Sequence, residues 1–203
     1  MPRVWNPSNR NYYDGSSRIP RSDVRGWVNA SSAETRDKLR AIGNEFLSGK
    51  INSAQAEIDA TELVTNHHSA IAVIANGGRD QMDASSWGRS GQVIKEQRAF
   101  MGDLWRGYEN GDVSDAGLLN RLGLYGDTGG LSYERMFTAY AVAAGFDQVF
   151  NIQGDTAAPC NECLELTAAG PMSADEMPDP GDRECSIGCD CTVGVVGIDD
   201  VED

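Results

Sequence analysis

Cysteine is absent from the first 159 residues of this chain, and histidine occurs only as the adjacent pair His67-His68. A secreted domain spreads its cysteines as staples, so crowding all five at one end argues against a disulfide framework. The shortage of histidine leaves few side chains able to trade protons near neutral pH. An isolated pair on an amphipathic helix reads as one packed and one solvated histidine. No apolar run exceeds Ala70 to Ala75, which excludes a spanning helix. The opening Met-Pro-Arg-Val-Trp-Asn-Pro lacks an apolar signal region, which predicts no export by that route. The phosphate-cradling Gly-x4-Gly-Lys loop and the Gly-x-Ser-x-Gly nucleophile elbow are also missing. Basic residues nearly vanish after position 150, where Arg183 stands alone.

What is present is enough for a core. Of 203 residues, 40% are hydrophobic, too many for a disordered chain. The net charge of −14 is unevenly spread: residues 1–50 balance at +4, residues 51–150 at −6 and residues 151–203 at −12. A duplex-DNA binder working through its whole surface would carry the opposite sign. The gradient instead predicts different duties for the three parts.

Residues 1–28 hold three of the seven prolines, with Arg3, Arg10, Arg18, Arg21 and Arg25 interleaved with Trp5, Tyr12, Tyr13 and Trp27. This composition predicts an extended arm that lies over its own body or docks on a partner, because arginine and aromatic side chains give much contact per ordered rotamer. Residues 29–145 read as a helical body. Ser31-x-x-Glu34 resembles a capping box opening a helix to about Leu47, closed by Gly49. Ser53 predicts a second helix with Ile58, Leu63, Val64, His67, Ile71 and Ile74 at helical steps, stopped by Asn76-Gly77-Gly78. A third runs from about Ser86 to Tyr108, with Val93, Ile94, Gln97, Phe100, Met101, Leu104, Trp105 and Tyr108 on one stripe. Ser114 caps a short fourth helix bearing Leu118, Leu119 and Leu122, and Gly129-Gly130 precedes a fifth that ends at Gly145. Beyond it, Phe146–Ile152 and Thr192–Ile198 have the composition of strands. The fold class expected is therefore α+β, mainly helical: a bundle of about five helices, then a small β zinc-knuckle module over 146–198, then a solvated acidic tail over 199–203.

The module is named for its cysteines. Cys160-x2-Cys163 is followed, after twenty-one residues, by Cys185-x3-Cys189-x-Cys191. A Cys-x2-Cys turn converges two thiolates on a tetrahedral ion, and a second cluster completes the set. The intervening segment has only Leu164, Leu166, Met172 and Met177 as large apolar side chains, interrupted by Gly170, Pro171, Pro178, Pro180 and Gly181. Such a segment cannot bury enough surface to hold itself, whereas one structural zinc contributes on the order of 10 kcal/mol of coupled binding and folding. Five thiols compete for four places: Cys160 and Cys163 form the safest pair, Cys189 follows, and Cys185 and Cys191 contend for the last. Four thiolates on zinc carry a net −2, offset nearby only by Arg183. That favours a closed structural site over a water-activating one. Pro159-Cys160-Asn161-Glu162-Cys163 matches half of the zinc-deaminase signature, but no cysteine lies upstream, and His67 and His68 are not followed by the required Glu. No enzyme is expected.

The cysteine layout together with the helical body resembles the head-morphogenesis family of phage minor head proteins related to the Mu F protein. The likeness runs from about Tyr12 to Val196. Its most specific part is an Asp ahead of Cys-x2-Cys, a Gly with a Pro-rich loop, and a His or Cys shortly before Cys-x-Cys-Thr. The matching residues are Asp155, Cys160, Cys163, Gly170, Pro178, Pro180, Gly181, Cys185, Cys189, Cys191 and Thr192. Ser48-Gly49-Lys50, Trp87-Gly88-Arg89, Leu122-Gly123-Leu124-Tyr125 and Tyr133-Glu134-Arg135 agree more loosely. Many relatives carry His in place of Cys185 and a basic residue in place of Asp190. The resemblance implies a non-catalytic virion component that associates with the portal, the major capsid protein or both. It would sit in the capsid interior or at the portal vertex, and in the host cytoplasm during assembly. Packaged DNA is the less favoured contact, and neither a membrane nor a small-molecule substrate is expected. A zinc-ribbon adaptor or regulator binding protein or nucleic acid is the competing reading, and a basic knuckle would have favoured its nucleic-acid form.

Overall fold

A three-stranded meander opens the computed structural model: β1 (Arg3–Asn6), β2 (Asn11–Asp14) and β3 (Ser17–Ile19), each antiparallel to the next. Then follow α1 (Arg21–Leu47), α2 (Ser53–Ala75), α3 (Ala84–Glu109), α4 (Asp115–Asp127), α5 (Gly129–Ala143), β4 (Gln148–Ile152), α6 (Asn161–Ala169), β5 (Met172–Ser173) and β6 (Thr192–Val195). The structure describes residues 3–154, 159–179, 182–184 and 191–198. Asp155, Pro180, Gly181, Cys185, Cys189 and the 199–203 tail lie outside the described residues. The mainly helical α+β class and the five helices of the body are as expected. Among the described residues, no helix is long and apolar enough to cross a membrane.

The chain divides into two compact units that cut across the segments expected from sequence. One comprises Arg25–Ala72 and Asp83–Ser132; the other comprises Met1–Val24, Val73–Met82 and Tyr133–Asp203. We call them the helical unit and the mixed unit.

The helical unit is organised by apolar periodicity. Val28, Ser32, Thr35 and Leu39 are buried at three- and four-residue steps on α1. Leu39, Ala56, Ala60, Val64, Met101, Leu104, Trp105, Leu118 and Leu122 form one core cluster. Phe46 meets Trp105 and Tyr108 edge-on at 5.4 Å. Three helix starts follow local chemistry. Asn52 accepts from Gln55 N at 2.9 Å, Asp83 from Ser86 N at 2.6 Å and Ser114 from Gly117 N at 3.2 Å. Two side chains placed on the apolar stripes, Ile58 and Phe100, are instead 58% and 57% exposed. The buried face of α2 runs through Ala56, Ala60 and Val64, so Ile58 falls outside it.

The start of α1 corrects another expectation. The helix begins at Arg21, where the Pro20 carbonyl accepts from Asp23 N and Val24 N at 3.0 and 3.3 Å. Ser31 and Glu34 are therefore interior, and Glu34 reaches forward to Lys38 Nζ at 2.6 Å. Burial of Val24 and Val28 outweighs the weak helix propensity of exposed Gly26 and Asn29. Gly129 also differs from its expected role: it opens α5 rather than separating it. An added Cβ would lie 2.1 Å from Ser32 Oγ and 2.6 Å from His67 Nε2, so only glycine permits this approach.

The mixed unit is joined by contacts distant in sequence. Residues 1–28 were expected as an extended arm; the strands are extended, but they pair into a sheet held by its own chain. Trp5 lies against Gly77, where an added Cβ would come within 2.1 Å of the indole and where φ is +89°. Tyr12 Oη donates to Ile74 O at 3.0 Å, and Arg10 Nη2 donates to Asn76 Oδ1 at 3.1 Å. Arg18 Nη2 donates to Ile198 O at 2.8 Å. Arg21 forms a buried ion pair with Glu134 at 2.6 Å, its guanidinium 3.8 Å from the Phe137 ring centre. The arginines and aromatics that suggested an interface are thus largely engaged within the unit. A second sheet has the order β5-β4-β6, with Val149 opposite Val195 and Ile152 opposite Thr192.

Candidate functional site

The cysteine region is built on β4, α6 and β6. Cys160 is not in a free-standing turn, as the knuckle reading expected. It is the N-cap of α6, with extended backbone at φ −69° and ψ 159°, and Cys163 lies in the first turn. The Cys160 carbonyl accepts from Leu164 N at 3.2 Å. A helix start presents unpaired N–H groups and the positive end of the helix dipole, which favours thiolate over thiol. Both members of the pair thus stand at the start of this helix.

Cys163 is fully buried and tightly held. Its carbonyl accepts from Thr167 Oγ1 at 2.8 Å and from Asn151 Nδ2 at 3.1 Å. Asn151 Nδ2 also donates to Thr167 Oγ1 at 2.7 Å. The other face of the Asn151 amide accepts from Arg183 Nη1 at 2.6 Å, and the same nitrogen lies 3.9 Å from Cys163 Sγ. Arg183 Nε donates to Pro178 O at 3.0 Å, and Nη2 lies 3.5 Å from Met177 Sδ. The Glu162 carboxylate accepts from Glu184 N at 2.6 Å, tying the start of α6 to the residue after the arginine.

Cys191 occupies a different setting. It enters β6 with Val193 and Val195 at two-residue steps, all three buried, so its free thiol continues the inward face of the strand. Among the described residues, no three His, Cys, Asp or Glu side chains come together as a metal group. Cys185 and Cys189 lie outside the described residues.

The histidines are both buried, correcting the reading of one packed and one solvated ring: His67 is 4% exposed and His68 fully enclosed. His67 Nδ1 lies 3.1 Å from Thr35 Oγ1, and Nε2 lies 3.5 Å from Ser32 Oγ. Burial lowers its pKa, opposed by a hydrogen bond with the Gly126 backbone. Neither ring nitrogen of His68 has a hydrogen-bond partner among the described residues. Burial, then the neighbouring His67, pushes its pKa down to about 4. These are packed helix residues sealed from solvent. An open groove of about 420 Å³ on the helical unit is lined by Glu57, Ile58, Thr61, Glu62, Thr65 and Arg98.

Sequence reasoning misses Asn151; it names Arg183 as the nearby charge offsetting the thiolates, without its hydrogen-bond partners. The signal available for Arg183 is its isolation as the one basic residue of a segment that balances at −12. No family model, no curated protein and no solved structure matches this chain.

Proposed function

We propose that the chain is a structural component of a phage or prophage head. In this reading it is a minor capsid protein that joins the portal, the major capsid protein or both during assembly, with one structural zinc holding its cysteine module. The observation that carries the metal reading is the buried Cys163 sulfur at the start of α6, beside the only cation in residues 151–203. Cys160, Cys163, Cys185 and Cys189 would supply four thiolates, with Cys191 remaining in the core. Zinc bound this way is a cross-link: it closes a segment with few apolar side chains and keeps no open position for substrate.

The virion assignment rests on the residues that resemble the head-morphogenesis family, chiefly the cysteine layout and Thr192. The −12 balance of residues 151–203 supports a protein partner over packaged DNA. Mass spectrometry of purified virions, quantified against the major capsid protein, tests it. A stoichiometric low copy number is expected, and a chain absent from washed particles would end the assignment. For the metal, native mass spectrometry of protein purified without chelator should give one zinc per chain. A folded, metal-free chain with its cysteines in disulfides would exclude it.

A further inference from the structure

Arg10 stands in the turn between β1 and β2, where a long cationic side chain would ordinarily reach into water. It is instead 8% exposed, on backbone with φ +52°. Among the described residues, no other residue except glycine takes this left-handed conformation. Arg10 lines a small cavity of the mixed unit together with Tyr12, Ile19, Arg21, Tyr133 and Phe137. Two guanidiniums therefore border one space between the meander and α5.

Their charges are answered differently. Arg21 pairs with Glu134 at 2.6 Å and stacks on Phe137. Among the described residues, Arg10 makes one hydrogen bond, from Nη2 to the neutral amide oxygen of Asn76 at 3.1 Å. Its Nε is buried and has no acceptor. The Trp5 ring, centred 5.4 Å from the guanidinium carbon, offers a quadrupole and no countercharge. The ionisable groups facing Arg10 are the phenols of Tyr12, Tyr133 and Tyr140, which are neutral near pH 7. An amide or a ring can occupy a donor without balancing its charge, and a cation taken out of water needs an anion close by.

We propose that this cavity binds one halide-sized monovalent anion, chloride in ordinary media, as the countercharge of Arg10. Size selects the class of ligand. The cavity measures about 10 Å³, room for one water-sized particle, which excludes phosphate, sulfate and a carboxylate side chain from another molecule. Water would fit and would accept from Nε, but it brings no charge. The net −14 of the chain repels anions at long range, so the site works through the local guanidinium and the absence of competing water. An ion held there fixes the β1–β2 turn against Asn76, just beyond α2, and against α5.

The experiment takes the full-length protein, dialysed free of halide into sodium gluconate, with Arg10→Met beside it. Chloride replaces gluconate stepwise at constant ionic strength, and the urea midpoint and the chloride NMR line width are read at each step. The wild-type midpoint should rise and then saturate, because an ion that binds only the folded chain stabilises it by mass action. Its excess line width should be removed by bromide, which fits the cavity, and spared by phosphate, which does not. Arg10→Met should lose the chloride dependence of the midpoint and all of the excess width. Equal midpoints in chloride and gluconate with no excess width would overturn the proposal and assign the cavity to water. A chloride effect that survives in Arg10→Met, or that phosphate abolishes, would overturn it too, since either places the ion elsewhere. If Arg10→Met does not fold, wild type decides alone: excess width removed by bromide and spared by phosphate supports the site, and any other pattern overturns it.

Discussion

The two units use different means to hold themselves together. The helical unit has an apolar cluster that includes Trp105, fed by stripes at helical spacing. The mixed unit buries three arginines, each tethered to a partner far along the chain: Arg10 to Asn76, Arg21 to Glu134 and Arg183 to Asn151. Apolar burial is non-directional and tolerates imperfect partners. A buried cation tolerates little, because losing its partner leaves an uncompensated charge. The first unit should therefore weaken by degrees, and the second should fail at particular residues.

The largest expected effect is at the proposed metal site. Cys163→Ser should release zinc and with it on the order of 10 kcal/mol of coupled binding and folding energy. Because the meander and the cysteine region belong to one compact unit, the loss should extend beyond the loop between the cysteine pairs. Amide hydrogen exchange should show lost protection in β1–β3, β4 and α6, with α3 and α4 retaining theirs. Loss confined to residues 159–198 would show that the cysteine region folds separately from the meander.

That contrast also explains what the sequence could disclose. The helices of the body are encoded locally: Asp83 and Ser114 cap, Gly145 stops, and Leu118 and Leu122 recur with the helical period. The start of α1 was missed because Ser31-x-x-Glu34 mimics a cap, while Val24 and Val28 signal helix only once their burial is known. α6 was missed because its Cys-x2-Cys reads as a turn. The meander was legible as extended chain but not as a sheet, since what fixes it is Asn76, Gly77 and Ile74, more than sixty residues away in sequence. At the site, the cysteines were legible by spacing. Asn151 and Arg183, thirty-two positions apart, carry no local pattern that would link them.

The next comparison is of intermediate size. Trp105→Ala should cost the helical unit about 3–5 kcal/mol through lost burial and a residual cavity. Arg21→Met should cost the mixed unit a similar amount, about 3–5 kcal/mol, by breaking the buried ion pair with Glu134. The two differ in how they are repaired. Adding Glu134→Leu to Arg21→Met should recover most of the loss, because an apolar pair of similar volume needs no charge balance. Urea denaturation of the single and double variants measures this. A double variant no more stable than Arg21→Met alone would mean that the stacking of Arg21 on Phe137, rather than the ion pair, dominates.

Acid should reveal a fragile element of the helical unit. His68 is held neutral in the fold, with its pKa near 4 against an ordinary value of 6.5. Below 6.5 the unfolded chain takes up a proton that the folded chain refuses. Stability is therefore complete above 6.5 and is lost as pH falls toward 4, by about 3 kcal/mol in total. His67, also lowered by burial, adds to the same slope. His68→Leu should remove most of it, leaving the His67 share. Denaturation midpoints across that range check this, and an undiminished slope would assign the acid sensitivity to carboxylates.

The smallest effect is at Cys191, and it separates the two kinds of site within one unit. Cys191, Val193 and Val195 are buried at two-residue steps leading into and along β6. Cys191→Val should alter stability by less than about 1.5 kcal/mol, in the range of volume-conserving core exchanges. It should leave one zinc per chain. Cys185→Ser, by contrast, should abolish stoichiometric zinc, because it removes the fourth thiolate. Metal content measured on the two purified variants gives the answer directly. If Cys191→Val lost its zinc while Cys185→Ser kept it, the fourth ligand would be Cys191. The inward face of β6 would then end at Val193, and the strand would enter the metal site rather than the core.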